Sequence, residues 1–79
     1  MLITVKCFAA SREIVGQREL ILAVRGGGTV GDLRDVLFET YPRLRDLRLR
    51  FAVNAVYAAQ EVELHDGDEV ACIPPVGGG

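Results

Sequence analysis

The chain has one histidine, His65, one lysine, Lys6, and two cysteines, Cys7 and Cys72, in 79 residues. Each scarcity removes a class of chemistry. The cysteines stand far apart, with no C-x-x-C pair and no second His/Cys cluster, so no zinc site is expected. His65 lies in a His65-Asp66-Gly67-Asp68 stretch with no nucleophile in reach and reads as a surface turn residue. Ser11 has no histidine or acid spaced to activate it. No segment approaches the roughly 18 apolar residues of a membrane span. Leu2-Ile3-Thr4-Val5 is interrupted by Lys6, without the h-region or cleavage site of a signal peptide. The expectation is a reduced, cytosolic protein, bound to neither membrane nor metal. There is no internal repeat.

What is present is enough apolar residue for one core. Hydrophobic residues make up 49% and charged residues 25%, which suits a single folded domain of this length. Net charge is −2. Residues 43–50 hold four arginines and one acid, Asp46. They carry no interleaved aromatics for base stacking, and the whole chain is not basic. The stretch therefore reads as a solvated connection and nucleic acid is not an expected partner.

Period-two alternation over residues 2–8 predicts a strand with Ile3, Val5 and Cys7 facing the core. A short helix is expected over 9–15, stopped by Gly16. A second strand follows over 18–24, with Leu20, Leu22 and Val24 on one face, and it can pair with the first. Gly26-Gly27-Gly28 breaks the pattern. Thr29 caps a long helix, with Asp32 completing a capping box and Val30, Leu33, Val36, Leu37 and Tyr41 on one face. Pro42 ends it. Further strands are expected over 50–54, briefly over 56–59, and last over 69–73, with 62–64 either a turn or a brief strand before a turn at 65–68. The order implies an α+β fold, a mixed sheet packed on one long helix.

Several constellations stay open to two readings on the residues alone. Pro74-Pro75-Val76-Gly77-Gly78-Gly79 follows the last strand directly. The prolines favour a stiff extended segment, and the glycines beyond are the least restricted of residues. Six residues reach on the order of 20 Å. Such an arm can enter a narrow channel in a partner enzyme and present a terminal carboxylate, but a frayed tail has the same composition. Gly26-Gly27-Gly28 lacks the following Gly-Lys-Ser/Thr of a phosphate loop and reads as a flexible loop. Cys7 and Cys72 fall on core faces and read as packing thiols, close together if the first and last strands are neighbours. Leu2, Phe8 and Ile73 would share the sheet face opposite the helix. They are either a partner surface or ordinary exposed hydrophobes.

Taken together, the residues resemble those of the MoaD/ThiS family of ubiquitin-like sulfur carriers, over essentially the whole chain. The resemblance is carried by Phe8-Ala9, Arg12-Glu13 and Gly16, by Thr29-Val30 with Leu33, and by Val53-Asn54. Its specific part is Asp66-Gly67-Asp68-Glu69-Val70-Ala71 running into Ile73-Pro74-Pro75-Val76 and terminal Gly78-Gly79. Within the family the full central helix is most similar to the branch that serves molybdopterin synthase. Gly77 departs from the small polar residue often found before the final glycine pair.

The resemblance implies a β-grasp domain over residues 1–73 and an arm over 74–79. It implies no catalytic group of the chain's own and no bound cofactor. An E1-like (MoeB-like) enzyme would use ATP to adenylate the Gly79 carboxylate, and a sulfur donor protein would turn it into a thiocarboxylate. The arm, Pro74, Pro75, Val76, Gly77 and Gly78, would then enter a MoaE-like large subunit and deliver sulfur to cyclic pyranopterin monophosphate. The assembled synthase of this family is a heterotetramer. Phe8 and Ile73 would lie on the surface that meets the partner. The same tail chemistry would serve a carrier for tRNA thiolation, thiamine or cysteine synthesis, or a ubiquitin-like modifier. The single lysine, Lys6, weighs only against lysine-linked chains of the protein itself.

Overall fold

The computed structural model describes residues 1–75. The chain begins with strand β1 (Leu2–Cys7) and helix α1 (Ala9–Val15), followed by β2 (Glu19–Ala23) and helix α2 (Val30–Thr40). A 3-10 turn at Pro42–Asp46 leads to β3 (Arg50–Val53), β4 (Val56–Tyr57) and β5 (Glu69–Ile73). The strands form one sheet in the order β2-β1-β5-β3-β4. β1 and β5 run parallel at its centre, and the other neighbours are antiparallel. The sheet is therefore mixed, with the single strand β2 outside β1 and the β3–β4 hairpin outside β5.

Ile3, Val5 and Cys7 of β1 and Val70 and Cys72 of β5 point into one core with Val30, Leu33 and Leu37 of α2. This two-layer packing, a curved mixed sheet closed over one long helix, is the β-grasp arrangement. Burying each such leucine contributes about 1.5–3 kcal/mol. α2 starts where its capping box closes: Asp32 N–H donates to Thr29 Oγ1 (3.3 Å), and Thr29 N–H donates to Asp32 Oδ2 (2.8 Å). The helix face is rotated slightly from the expected one. Phe38 packs on the core, whereas Val36 is only half-buried and outside it.

Local geometry refines the expectations for the segments between these elements. The connection over 43–50 is solvated at Arg43, Arg45 and Arg48, but its 3-10 turn swings Leu44 fully into the core. The third strand ends at Val53, because Asn54 and Ala55 both have positive φ (47° and 72°) and form a two-residue hairpin turn. β4 consequently has only two residues, and 62–64 contributes only an isolated bridge between Thr29 and Glu63. Gly28 is buried and does more than loosen a loop. A Cβ there would lie 2.9 Å from the Arg25 carbonyl oxygen and the Val24 side chain.

Candidate functional site

The site is organised by β5, the strand that carries the chain out of the body. It sits between β1 and β3, so its backbone is paired on both sides. Val70 and Cys72 anchor it inward and are fully buried. Glu69, Ala71 and Ile73 take the opposite face by alternation. Pro74 is buried, and Pro75 is exposed. Val76, Gly77, Gly78 and Gly79 lie outside the described residues.

The start of β5 is fixed by the Asp-Gly-Asp turn. Asp68 Oδ2 accepts from His65 N–H (2.8 Å), and its Oδ1 accepts from Asn54 Nδ2 (3.1 Å). The His65 backbone bond, with the Asn54 amide and the neighbouring imidazole, holds the Asp68 carboxyl below its ordinary range despite partial burial. Gly67, at φ 86°, lets its N–H reach the Leu2 carbonyl at 2.9 Å. Asp66 Oδ1 in turn accepts from Leu2 N–H (2.7 Å). The turn thus ties the first residues of β1 to the first of β5. His65 itself points to solvent, with its side chain 77% exposed.

At the other end of the same two strands, Cys7 and Cys72 are directly opposite in the parallel register, as the sequence suggested. Both are free and buried. The facing Cys7 thiol, together with burial, pushes Cys72 above the ordinary thiol range. Cys7, facing Cys72, is shifted the opposite way. These are packing groups at the root of the arm.

Phe8 follows Cys7 and Ile73 follows Cys72, so the two expected surface residues emerge at the same end of neighbouring strands. Phe8 is 48% exposed and extended, and it serves as N-cap of α1. Its backbone is held by the buried Ser11. The Ser11 hydroxyl accepts from Phe8 N–H (2.9 Å) and donates to Phe8 C=O (2.6 Å). Ser11 is a positioning residue for this corner. Leu2, also exposed, is at the far end of β1 and does not join Phe8 and Ile73.

Sequence reasoning missed the neighbours that complete this surface. Arg50 is the register partner of Ile73, Ala52 of Ala71, and Tyr57 of Ala52. Arg50 Cζ lies 4.1 Å from the Tyr57 ring centroid, a cation–π contact. Lys6 forms a half-exposed ion pair with Glu69 at 3.4 Å. Ala71 and the buried Ala52 beneath it thus floor a shallow strip rimmed by an aromatic, two cations and Ile73. The period-two pattern through Ala52 was the available signal, but the pairing that sets Tyr57 beside it is nonlocal. Among the described residues, no group of three or more His, Cys, Asp or Glu side chains is placed to hold a metal. No helix there is long and apolar enough to cross a membrane.

Comparison with known proteins follows the same outline. The model of the ThiS family matches residues 5–79. A molybdopterin synthase sulfur carrier subunit of Mycobacterium tuberculosis is 46% identical over an 81-residue alignment, covering 98% of this chain and 96% of its own. The crystal structure of SAMP1 from Haloferax volcanii superposes with a TM-score of 0.88 at 32% identity, over the full length of both chains. A putative molybdopterin converting factor subunit 1 from Pyrococcus furiosus gives a TM-score of 0.90 at 28% identity, over 96% of this chain and 99% of its own.

Proposed function

This chain belongs to the ThiS family of small, non-catalytic sulfur carriers, and on that premise we propose that it is the sulfur carrier subunit of a molybdopterin synthase. The observation that carries the reading is the 46% identity to a subunit of that name across nearly the whole of both chains. In this reading Gly79 is the reactive residue and holds cargo. Its carboxylate is ionised at neutral pH and a poor electrophile. An E1-like, MoeB-like enzyme therefore spends ATP to form the acyl-adenylate, releasing pyrophosphate. The persulfide sulfur of a donor protein then attacks the adenylate carbonyl and displaces AMP, and a second thiol cleaves the resulting acyl disulfide, forming a disulfide with the donor and leaving the thiocarboxylate.

The remaining arm residues have graded roles. Pro75, Val76, Gly77 and Gly78 enter the MoaE-like large subunit, and Pro74 seats the arm on the body. Thiocarboxylate sulfur passes to cyclic pyranopterin monophosphate. The surface of Phe8 and Ile73, extended by Arg50, Ala52, Ala71 and Tyr57, docks on the partner beside the channel. No cofactor resides on the chain, and ATP belongs to the activating enzyme. We place the protein in the cytoplasm, where its two buried thiols stay reduced.

A second reading has its own support: the full-length likeness to SAMP1, one of the small archaeal modifier proteins, favours conjugation to other proteins. One experiment separates the two. The chain is incubated with its E1-like enzyme, ATP and a sulfur source, and its intact mass is read for exchange of one oxygen for sulfur. A large subunit and cyclic pyranopterin monophosphate are then added and molybdopterin is measured. The carrier reading expects thiocarboxylate and molybdopterin, both abolished by deletion of Gly79. Thiocarboxylate without molybdopterin moves the acceptor to tRNA thiolation, thiamine or cysteine synthesis. Stable amide-linked adducts on other proteins favour the modifier.

A further inference from the structure

The two edges of the sheet are unlike each other. β4 is only two residues long, and so short an edge offers little template for pairing. β2 is the other edge, five residues reading Glu-Leu-Ile-Leu-Ala, with no proline and no lysine. Edges of that kind invite another strand, and soluble proteins usually blunt them.

Which backbone groups face outward can be worked out from the pairing with β1. The bonds Cys7 N–H to Arg18 C=O and Val24 N–H to Met1 C=O, with Met1 amine to Val24 C=O, mark hydrogen-bonded pairs. Hydrogen-bonded and non-hydrogen-bonded pairs alternate along an antiparallel ladder. In the register Leu2 to Ala23, the residues of β2 bonded to β1 are therefore Leu20 and Leu22. Glu19, Ile21 and Ala23 direct their N–H and C=O groups to the open edge.

We infer that this edge pairs with the β2 strand of a second copy of the chain, antiparallel and about a two-fold axis through Ile21. Three observations select that occupant. A two-fold axis normal to the sheet keeps each residue on its own face, and centring it at Ile21 sets Glu19 opposite Ala23 and Ile21 opposite itself. All three outward residues then find hydrogen-bonding partners of the same kind. Ile21, 66% exposed, becomes covered by its own equivalent.

Charge agrees as well. No like charges stand opposite one another, and Glu19 lies diagonal to Arg25 of the second copy on the same face. That spacing is about 7–8 Å between backbones, within reach of two long side chains. Arg25 pairs with Asp32 of its own copy at 3.2 Å, but its side chain is 73% exposed, so reaching Glu19 exchanges one surface ion pair for another. On the inner face Leu20 meets Leu22 of the second copy, beside a shallow groove lined by Leu20, Leu22, Thr40 and Tyr41.

The pairing leaves the arm unobstructed. β5 is two strands in from the paired edge, about 10 Å away. The two-fold relation sets the two β5 strands running in opposite directions. A five-residue edge is small against standard interfaces, so the dimer is a weak, concentration-dependent one.

Sedimentation velocity over a concentration series, with amide NMR of the full chain, tests this. The expected result is a sedimentation coefficient that rises with concentration, with the shifting amides centred on Glu19, Ile21 and Ala23. Ile21→Pro removes the outward N–H, and Ile21→Lys sets like charges on the axis while keeping the backbone donor. Ile21→Lys should leave a folded monomer at all concentrations, whereas Val56→Lys on the opposite edge should self-associate like the parent chain. A parent chain that stays monomeric into the millimolar range overturns the proposal. So does loss of association in Val56→Lys but not in Ile21→Lys. If an unrelated extended peptide shifts the same amides in a chain that stays monomeric, the edge serves another partner and the proposal is wrong.

Discussion

Ala55 sits at φ 72°, in the second central position of the hairpin turn between β3 and β4, after Asn54 at φ 47°. A side chain in the left-handed region costs about 1–2 kcal/mol, less for asparagine, whose side chain bonds locally. Asn54 has such compensation: its Oδ1 accepts from Glu69 N–H and its Nδ2 donates to Asp68, both at 3.1 Å. Ala55 has none. Ala55→Gly should relieve that strain and create the Asn-Gly pair that two-residue hairpins favour. Glycine loosens the unfolded chain and returns roughly 0.5–1 kcal/mol of the gain. The net expectation is stabilisation by about 0.5–1 kcal/mol, or on the order of 2–8 °C in Tm for a domain of this size. Gly67→Ala is the mirror test. Gly67 stands at φ 86° with nothing within 4 Å of an added Cβ, so backbone strain acts without a clash, and after the same unfolded-chain offset a loss of about 0.5–1 kcal/mol is expected. Urea denaturation followed by circular dichroism reads both at unchanged m-value. If Ala55→Gly is neutral or destabilising while Gly67→Ala behaves as stated, the positive φ of Ala55 is not a strained state and the reasoning fails.

Two further outcomes follow from the same contacts. Asp68 has a depressed pKa, so its contribution is present above the unfolded carboxyl value of 3.8 and is lost as pH falls through the lower folded value. Asp68→Asn should therefore be less stable than the parent at pH 7, with the gap closing as pH falls below 3.8, measured by thermal melts across that range. Leu44 is fully buried, and Leu44→Ala should cost about 2–5 kcal/mol in urea titrations, far more than removal of an exposed loop leucine would.

The elements most legible in the sequence were those decided by contacts close in the chain. α1 and β5 fall on the expected residues, and Thr29 with Asp32 starts α2 where the capping pattern put it. These depend on side chains three or four residues apart, or on alternation within one strand. The misses depended on distant partners. Leu44 looked like part of a solvated stretch because three arginines surround it, and only the core above α1 and α2 explains why it turns inward. Asn54 read as strand because its neighbours are apolar. Its bonds to Asp68 and Glu69, fourteen and fifteen residues on, are what hold it at a turn.

The same division runs through the site. Phe8 and Ile73 were readable as outward positions, since alternation places them there. That they meet while Leu2 does not follows from the parallel pairing of β1 with β5, which no local pattern contains. The pairing also divides the Asp-Gly-Asp-Glu-Val-Ala segment and the proline-glycine arm by role. The first part ties the beginning of β5 to the beginning of β1 through Gly67, Asp66 and Asp68. The buried Cys7 and Cys72 hold the two strands together at the far end. A terminal group that must reach into a partner gains from a root that does not move, because slack at the root is multiplied along the arm. β5 has a paired neighbour on each side and a buried Pro74 at its exit. In the proposed reading, with the sulfur on Gly79, the body contributes to delivery by fixing where the arm begins and which surface lies beside it.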